Sequence, residues 1–124
     1  MGFKELLAYQ KGFDLAQQVF EISKSFPKEE TYSLTDQIRR SSRSVCANIA
    51  EAYRKRRYQK HFISKLTDAD SENSETQVWL NFALACNYIE NKEVQLLKNQ
   101  SDEVGKLIYY MINNPEKFGA HSAN

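Results

Sequence analysis

The most constraining feature of this sequence is a long stretch without helix breakers. Residues 28 to 104 contain neither glycine nor proline. Tight turns between β-strands depend on glycine at positions of positive φ and on proline at corners, so a strand-rich fold is incompatible with such a stretch. The sequence therefore predicts an all-α fold.

Apolar residues recur every three or four positions along four segments, which predicts four amphipathic helices. We place them at about residues 4–25, 34–57, 60–91 and 92–113, with a frayed tail over 114–124. Helix 1 carries two adjacent apolar stripes, which are Leu6, Tyr9, Phe13, Ala16 and Phe20 and, beside them, Leu15, Val19, Ile22 and Phe26. Such a broad apolar face is typical of a bundle helix.

Local signals set most of the helix ends. Pro27 ends helix 1, and Ser33 followed by Asp36 resembles a capping box at the start of helix 2. Residues 54–60 contain no turn residue, so the break between helices 2 and 3 is placed only loosely, near 56–60. The links between successive helices are short, which favours antiparallel neighbours. We therefore expect residues 1–124 to form one up-and-down antiparallel four-helix bundle.

Composition points to the compartment. The formal net charge is +1, so no global field draws the protein to nucleic acid or membrane. No apolar run approaches the ~18 residues of a membrane span, and residues 1–7 lack a signal-peptide core. Cys46 and Cys86 lie far apart in apolar helical stretches, which favours reduced thiols. We expect a cytoplasmic protein without a membrane partner.

Sequence motifs for catalysis are missing. A carboxylate-bridged metal site in a bundle needs Glu-x-x-His pairs, yet Tyr58 and Phe118 stand three residues before His61 and His121. Neither cysteine has a histidine close to it in the sequence, and no two glycines lie near enough to form a phosphate loop. The sequence therefore predicts a protein that is not an enzyme and that holds no metal or cofactor.

Charge is segregated between helices 2 and 3. Residues 36–60 contain eight basic residues against two acidic ones, and residues 66–91 contain five acidic residues and no lysine or arginine. At about 100° per residue, four arginines fall within about 60° of one another, opposite the apolar side of helix 2. These four are Arg39, Arg43, Arg54 and Arg57. The spacing predicts a basic stripe on the outside of the bundle.

Three interpretations of this stripe are open. In the first, acids of helix 3 neutralise it as a solvated, salt-bridged face. In the second, it is a subunit interface, where small side chains admit a partner helix and arginines pair with another copy's acids. The candidate interface residues are Cys46, Ala47, Ala50, Asp68, Glu72, Glu75 and Trp79.

The third interpretation is a nucleic-acid surface, because arginine forks match phosphate geometry and tyrosines stack on unpaired bases. The candidate contacts are Arg39, Arg40, Arg43, Arg54, Arg56 and Arg57, with Tyr53 and Tyr58 for stacking.

Polar residues occupy core-type positions in the middle of the bundle. Asn73 and Thr76 take such positions on helix 3, and helix 2 offers Ser41 and Ser42. Buried polar groups cost stability unless they are hydrogen-bonded to one another. Two interpretations are open: a polar layer that fixes helix register or subunit number, and a solvated groove where helix 3 turns away from the bundle.

Several runs resemble a known bacterial family. Residues 26–32 read FPKEETY, residues 37–40 read QIRR and residues 48–51 read NIAE. These runs, with Tyr9-Gln10-Lys11 and the apolar positions of helix 3, resemble the family called four helix bundle protein, also known as the 23S rRNA intervening-sequence protein family. The chain departs from that pattern at Ala52, where a glycine is usual, and in the acidic run DADSENSE of helix 3.

The resemblance implies an up-and-down bundle assembled as a homopentamer. The family is similar to the accessory variability protein of diversity-generating retroelements, whose pentamer binds a reverse transcriptase and nucleic acid through a basic surface. Carried over, this places Arg39, Arg40, Arg43 and residues 54–57 in such a surface. The expected partners are other copies of the chain, RNA or DNA, and a protein such as a reverse transcriptase. The alternative is a protein-only adaptor whose helix 2 arginines form the subunit interface.

Overall fold

The computed structural model describes residues 2–122, which form four long α-helices. They are α1 (Leu7–Ser23), α2 (Leu34–Arg54), α3 (Gln59–Ala85) and α4 (Asn91–Asn113). Short 3-10 turns lie at Phe3–Glu5, Lys28–Glu30 and Pro115–Phe118. No strand occurs within residues 2–122, and no helix there is both long and apolar enough to cross a membrane. The all-α prediction is confirmed.

Successive helices pack side by side, and α4 closes the bundle against α1. Ser41 of α2 contacts Thr76 of α3, whereas Glu51 farther along α2 pairs with Lys65 near the start of α3. The same reversal of direction relates the other adjacent pairs. The predicted up-and-down antiparallel bundle is therefore confirmed, with α2 and α4 diagonally opposite.

The core is built from large apolar side chains on all four helices. Leu15 and Val19 face it from α1, but Phe13 is 48% exposed and Phe20 is only half-buried. The first apolar stripe predicted for helix 1 is thus only partly a core stripe. The large side chains with no exposed surface include Ile38, Ile49, Phe62, Leu66, Leu80 and Ile108.

α2 ends at Arg54, three residues before the predicted end at 57. An arginine side chain helps to terminate it: Arg56 Nη1 donates to the Tyr53 carbonyl oxygen at 2.7 Å. The residues from Lys55 to Tyr58 then turn the chain into α3. Because this end lacks glycine and proline, the usual signals of a helix terminus are missing from the sequence.

α3 ends at Ala85 instead of near 91. Asn87 adopts a left-handed conformation with φ of 62°, and two backbone bonds close the turn, from Asn87 N to Leu84 O and from Tyr88 N to Ala83 O. This pattern is a Schellman motif, in which asparagine takes the place of the commoner glycine. A reciprocal capping box between Glu90 and Glu93 starts α4 at Asn91.

The capping box predicted from Ser33 and Asp36 at the start of α2 is wrong. The Ser33 side chain makes no bond to the helix backbone, and instead donates to Glu30 Oε1. The same carboxylate oxygen accepts the Leu34 N–H at 3.2 Å. Glu30 thus supplies the acceptor for the helix N-terminus from outside the predicted motif, in the preceding 3-10 turn.

The prediction of a frayed tail is wrong for the segment that contains Phe118 and Ala120, which packs against the bundle. Phe118 stacks beside Phe62 at a ring separation of 6.4 Å, and Ala120 is fully buried. Gln59 Nε2 donates to the Ala120 carbonyl oxygen at 3.0 Å, so the segment covers the end of the bundle near the α2–α3 turn. The last two positions of the predicted tail, 123–124, lie outside the described residues.

The polar residues of the core bond to one another. Ser41 Oγ lies 2.9 Å from Thr76 Oγ1, and neither residue is more than 1% exposed. Asn73 and Ser101 exchange two hydrogen bonds at 2.9 Å between α3 and α4. These groups are therefore buried and hydrogen-bonded within the described chain, which favours the polar layer, and Asn73 and Ser101 also line an open depression of about 480 Å³ between α3 and α4.

Candidate nucleic-acid interface

No arginine of α2 forms an ion pair with a carboxylate within residues 2–122. Ion pairs between residues 2 and 122 join lysines to carboxylates, and no arginine takes part. Across the α2–α3 contact the pair is Glu51 with Lys65 at 2.9 Å, an acid on α2 and a base on α3. The hydrogen bond and charge of Lys65 lower the pKa of Glu51, and those of Glu51 raise the pKa of Lys65. A close salt-bridged face between helix 3 acids and the arginines of α2 is therefore not formed within residues 2–122, and the charge of Arg40 acts on Glu72 of α3 only at longer range.

Phe20 of α1 orders the basic residues around it. The guanidinium carbons of Arg39 and Arg43 lie 4.6 and 5.2 Å from the centre of its ring, and Lys24 Nζ lies at 5.0 Å. The faces of aromatic rings attract cations, so Phe20 holds three positive charges near one another. Arg39 is fixed further, because its Nε donates to Ser23 Oγ at 2.7 Å.

A shallow depression of about 510 Å³ lies along the first half of α2. Arg39, Arg40 and Arg43 line it, together with Asp36, Ser44 and Ala47. Arg40 and Arg43 are exposed, whereas Arg39 is half-buried. We call Arg39, Arg40 and Arg43 the α2 arginine cluster. The depression presents the three guanidinium groups of this cluster and the Ser44 hydroxyl, with the Asp36 carboxylate at its edge. Guanidinium and hydroxyl donors on one surface are suited to an anion such as phosphate.

A second basic group lies at the end of α2 and in the turn that follows it. Arg54 and Arg57 are exposed, and Tyr58 between α2 and α3 is 57% exposed. The Arg57 guanidinium carbon lies 5.7 Å from the centre of the Tyr58 ring. The centre of the His61 ring lies 5.6 Å from that of Tyr58. Because α2 ends at Arg54, Arg57 does not continue the helical stripe as predicted but belongs to this turn.

Two of the predicted contacts have structural roles. Tyr53 is 8% exposed, and the Arg56 guanidinium carbon lies 4.0 Å from the centre of its ring. Since its ring is buried, Tyr53 is not available to stack on a base, contrary to the prediction. Arg56 is half-buried and its Nη1 bonds the Tyr53 carbonyl oxygen, so it caps α2.

The small residues predicted beside the stripe divide between inside and outside. Cys46 is buried against α1, where a β-carbon built on Gly12 would lie 3.3 Å from its sulfur. Burial, with a smaller effect of the Asp14 charge, raises the pKa of its thiol to about 11. The prediction that Cys46 faces outward at a subunit interface is therefore wrong. Ala47 is exposed and Ala50 half-buried.

The predicted interface acids of α3 remain near the surface. Asp68 is exposed and lies 4.0 Å from Lys65 Nζ, while Glu72 is half-buried. Desolvation and then the Glu75 charge raise the pKa of Glu72, and the Arg40 charge opposes them. Trp79 is half-buried at the edge of α3, where its Nε1 donates to Glu75 Oε1 at 3.3 Å.

Sequence reasoning missed Phe20, Lys24 and Ser23 as parts of this site. It assigned Phe20 to the core, although Lys24 follows it by one helical turn and so had to share its side of α1. A cation at that spacing is the signal that could have placed Phe20 at the surface. The position of Ser23 against Arg39 depends on how α1 and α2 pack, which no local pattern reveals.

Comparison with known proteins identifies related chains. Residues 4–110 match the family model described as 23S rRNA-intervening sequence protein. A solved structure from Bacteroides thetaiotaomicron VPI-5482, described as a protein of unknown function from the S23 ribosomal protein family, is similar at 30% identity and a TM-score of 0.79. The similarity covers 86% of this chain and 96% of that one. No match was found among curated proteins. Neither description names an enzymatic activity.

Proposed function

This chain belongs to the 23S rRNA-intervening sequence protein family, and we propose that it is a non-enzymatic cytoplasmic bundle that binds RNA through the basic surface of α2. The contacts to phosphates would come from the α2 arginine cluster and from Arg54 and Arg57. Tyr58 is the residue offered for stacking on an unpaired base.

One observation carries this proposal: the exposed arginines of α2 form no ion pair with an acid among the described residues. Arg40 and Arg43 are exposed, and no ion pair within residues 2–122 includes them. Positive charges held close together repel one another, and an anion bound among them relieves that repulsion. Phe20 also reduces the freedom of Arg43, so less side-chain entropy is lost on binding.

The proposal includes assembly of several copies, with a pentamer as the expected number. A ring of subunits repeats the basic surface, and repeated weak contacts to one RNA strand add to its affinity through a high effective concentration.

The second candidate is a protein-only adaptor, in which the arginines of α2 pair with acids of another copy. It is favoured by Glu72, whose pKa is raised by desolvation and by Glu75 while Arg40 only partly opposes them. A further arginine brought from a neighbouring subunit would offset that cost. This candidate predicts that the arginines hold the assembly together and leaves nucleic acid without a role.

Arg40→Glu separates the two candidates, with Lys106→Glu on α4 as a control that makes the same change in net charge. Gel shifts with labelled RNA and the mass from light scattering are measured on both variants. RNA binding predicts that Arg40→Glu weakens the gel shift and leaves the mass unchanged. A changed mass, with no gel shift even for the wild-type protein, would reject RNA binding in favour of the adaptor.

A further inference from the structure

A second concave surface lies at the other end of the bundle from the α2–α3 turn. This groove of about 390 Å³ runs between the start of α2 and the last turns of α3. Tyr32, Trp79 and Phe82 form its aromatic walls, and Tyr32 is 93% exposed. We call this surface the aromatic groove; Glu30, Gln37 and Cys86 also line it.

Two of the three rings, those of Trp79 and Phe82, contact each other and remain available to a ligand. Trp79 and Phe82 lie with ring centres 5.9 Å apart and planes tilted by 37°. The bond from Trp79 Nε1 to Glu75 Oε1 fixes the indole. Large aromatic side chains exposed in one concave surface are a feature of binding sites rather than of ordinary surfaces.

The charge around the groove is negative. Among the described residues that line it, Glu30 is the only charged one. Its carboxylate accepts hydrogen bonds from the Ser33 hydroxyl, the Tyr88 hydroxyl and the Leu34 N–H. These three bonds lower the pKa of Glu30. Glu75 adds a second carboxylate beside Trp79, and no lysine or arginine occurs between residues 66 and 91. A polyanion such as RNA is therefore disfavoured here, and a cation is favoured.

Arginine is the cation that fits these walls best. Its planar guanidinium stacks on aromatic faces, is more weakly hydrated than an ammonium group and carries five N–H donors. The Gln37 amide oxygen and the carboxylates of Glu30 and Glu75 are acceptors within or beside the groove. We propose that the aromatic groove binds an arginine side chain presented by a partner protein. The proposal does not depend on RNA binding at α2.

Trp79 gives a direct readout, because it is the single tryptophan of the chain. Its emission is followed while the protein is titrated with N-acetyl-arginine methylamide, and with the lysine and glutamate analogues at equal ionic strength. With the arginine analogue we expect a saturable change in Trp79 emission in the millimolar range. The lysine analogue should bind at least about threefold more weakly, and the glutamate analogue should cause no change. A response that is absent, or equal for arginine and lysine, would overturn the proposal.

Two variants and a control assign the binding to the groove. Phe82→Ala and Tyr32→Ala remove exposed walls and should each weaken the arginine response at least about threefold. Phe13→Ala removes an exposed aromatic residue from α1 and should leave the response unchanged. Light scattering is measured on the same proteins. If Phe82→Ala lowers the mass of the assembly, a second copy of the chain occupies the groove, and the proposal of a different partner protein is wrong.

Discussion

The guanidinium group of Arg39 lies over the ring of Phe20, with its central carbon 4.6 Å from the ring centre. The same arginine donates a hydrogen bond from Nε to Ser23, so it ties α2 to α1 as well as adding charge to the surface. Its exposed neighbours Arg40 and Arg43 are therefore better probes of ligand binding, because replacing them disturbs fewer contacts inside the bundle.

Replacement of Phe20 tests whether its ring orders the cations. Phe20→Leu keeps an apolar side chain but removes the ring face under Arg39 and Arg43. We expect RNA affinity to fall by about two- to fivefold with no change in net charge, since cation–π contacts at exposed sites contribute about 0.5–1 kcal/mol. Fluorescence anisotropy with labelled RNA measures the effect. Phe13→Leu on the same helix is the control, and equal affinities for both variants and the wild type would contradict the role of Phe20.

Glu30 makes the start of α2 sensitive to acid. Hydrogen bonds from Ser33, Tyr88 and Leu34 lower its pKa in the folded protein. The stability that this adds is fully present above the pKa of the unfolded chain, about 4.3, and is lost as pH falls through the lower folded value. Glu30→Gln should therefore be less stable than the wild type at pH 7, and the difference should shrink below about pH 4.

Urea unfolding between pH 7 and pH 3 measures this difference. Glu29→Gln, in the same 3-10 turn, is the control and should stay parallel to the wild type. Tyr88→Phe removes one of the three donors, so its acid dependence should lie between those of Glu30→Gln and the wild type. A constant difference between Glu30→Gln and the wild type at every pH would contradict the assignment.

The contact between Ser41 and Thr76 should contribute to stability as a pair. Thr76→Val removes a buried hydroxyl that lies 2.9 Å from Ser41 Oγ and from the Glu72 carbonyl oxygen. We expect a loss of about 1–3 kcal/mol in the free energy of unfolding, because a buried polar group loses its partner.

A double-mutant cycle checks that contact. The double variant Ser41→Ala with Thr76→Val should lose less than the sum of the single changes, by about 0.5 kcal/mol or more. Thr67→Val is the matched control, since Thr67 makes the same bond to the carbonyl four residues earlier but is exposed. Its effect should stay within about 0.5 kcal/mol. Strict additivity in the cycle would show that the two hydroxyls do not interact.

The two thiols should differ sharply in reactivity. Cys86 is exposed, whereas Cys46 is buried and its thiol has a pKa of about 11. The thiolate is the reactive form, so iodoacetamide should modify Cys86 in the native protein and Cys46 only after unfolding. Mass spectrometry counts the adducts. Cys86→Ser should leave the native protein unmodified on the timescale of Cys86 labelling, and rapid labelling of Cys46 would contradict its burial against α1.

Much of the fold could be predicted because helical periodicity and the lack of breakers are local properties. The helix ends could be predicted less well, since Arg56 and Asn87 end α2 and α3 in place of proline and glycine. The spacing of the arginines identified them as candidates, but the residues that surround them could not be predicted from the sequence. Whether a guanidinium meets Phe20 or an acid of another helix depends on how helices distant in sequence pack together.

The central proposal is that the α2 arginines, which form no ion pair within residues 2–122, bind phosphates, and the salt dependence of RNA affinity tests it most directly. The logarithm of the association constant should fall linearly with the logarithm of salt concentration. Arg40→Gln and Arg43→Gln should each reduce the slope by about one, and Lys106→Gln on α4 should leave it unchanged. An affinity that does not change with salt, or equal slopes for all four proteins, would contradict the claim.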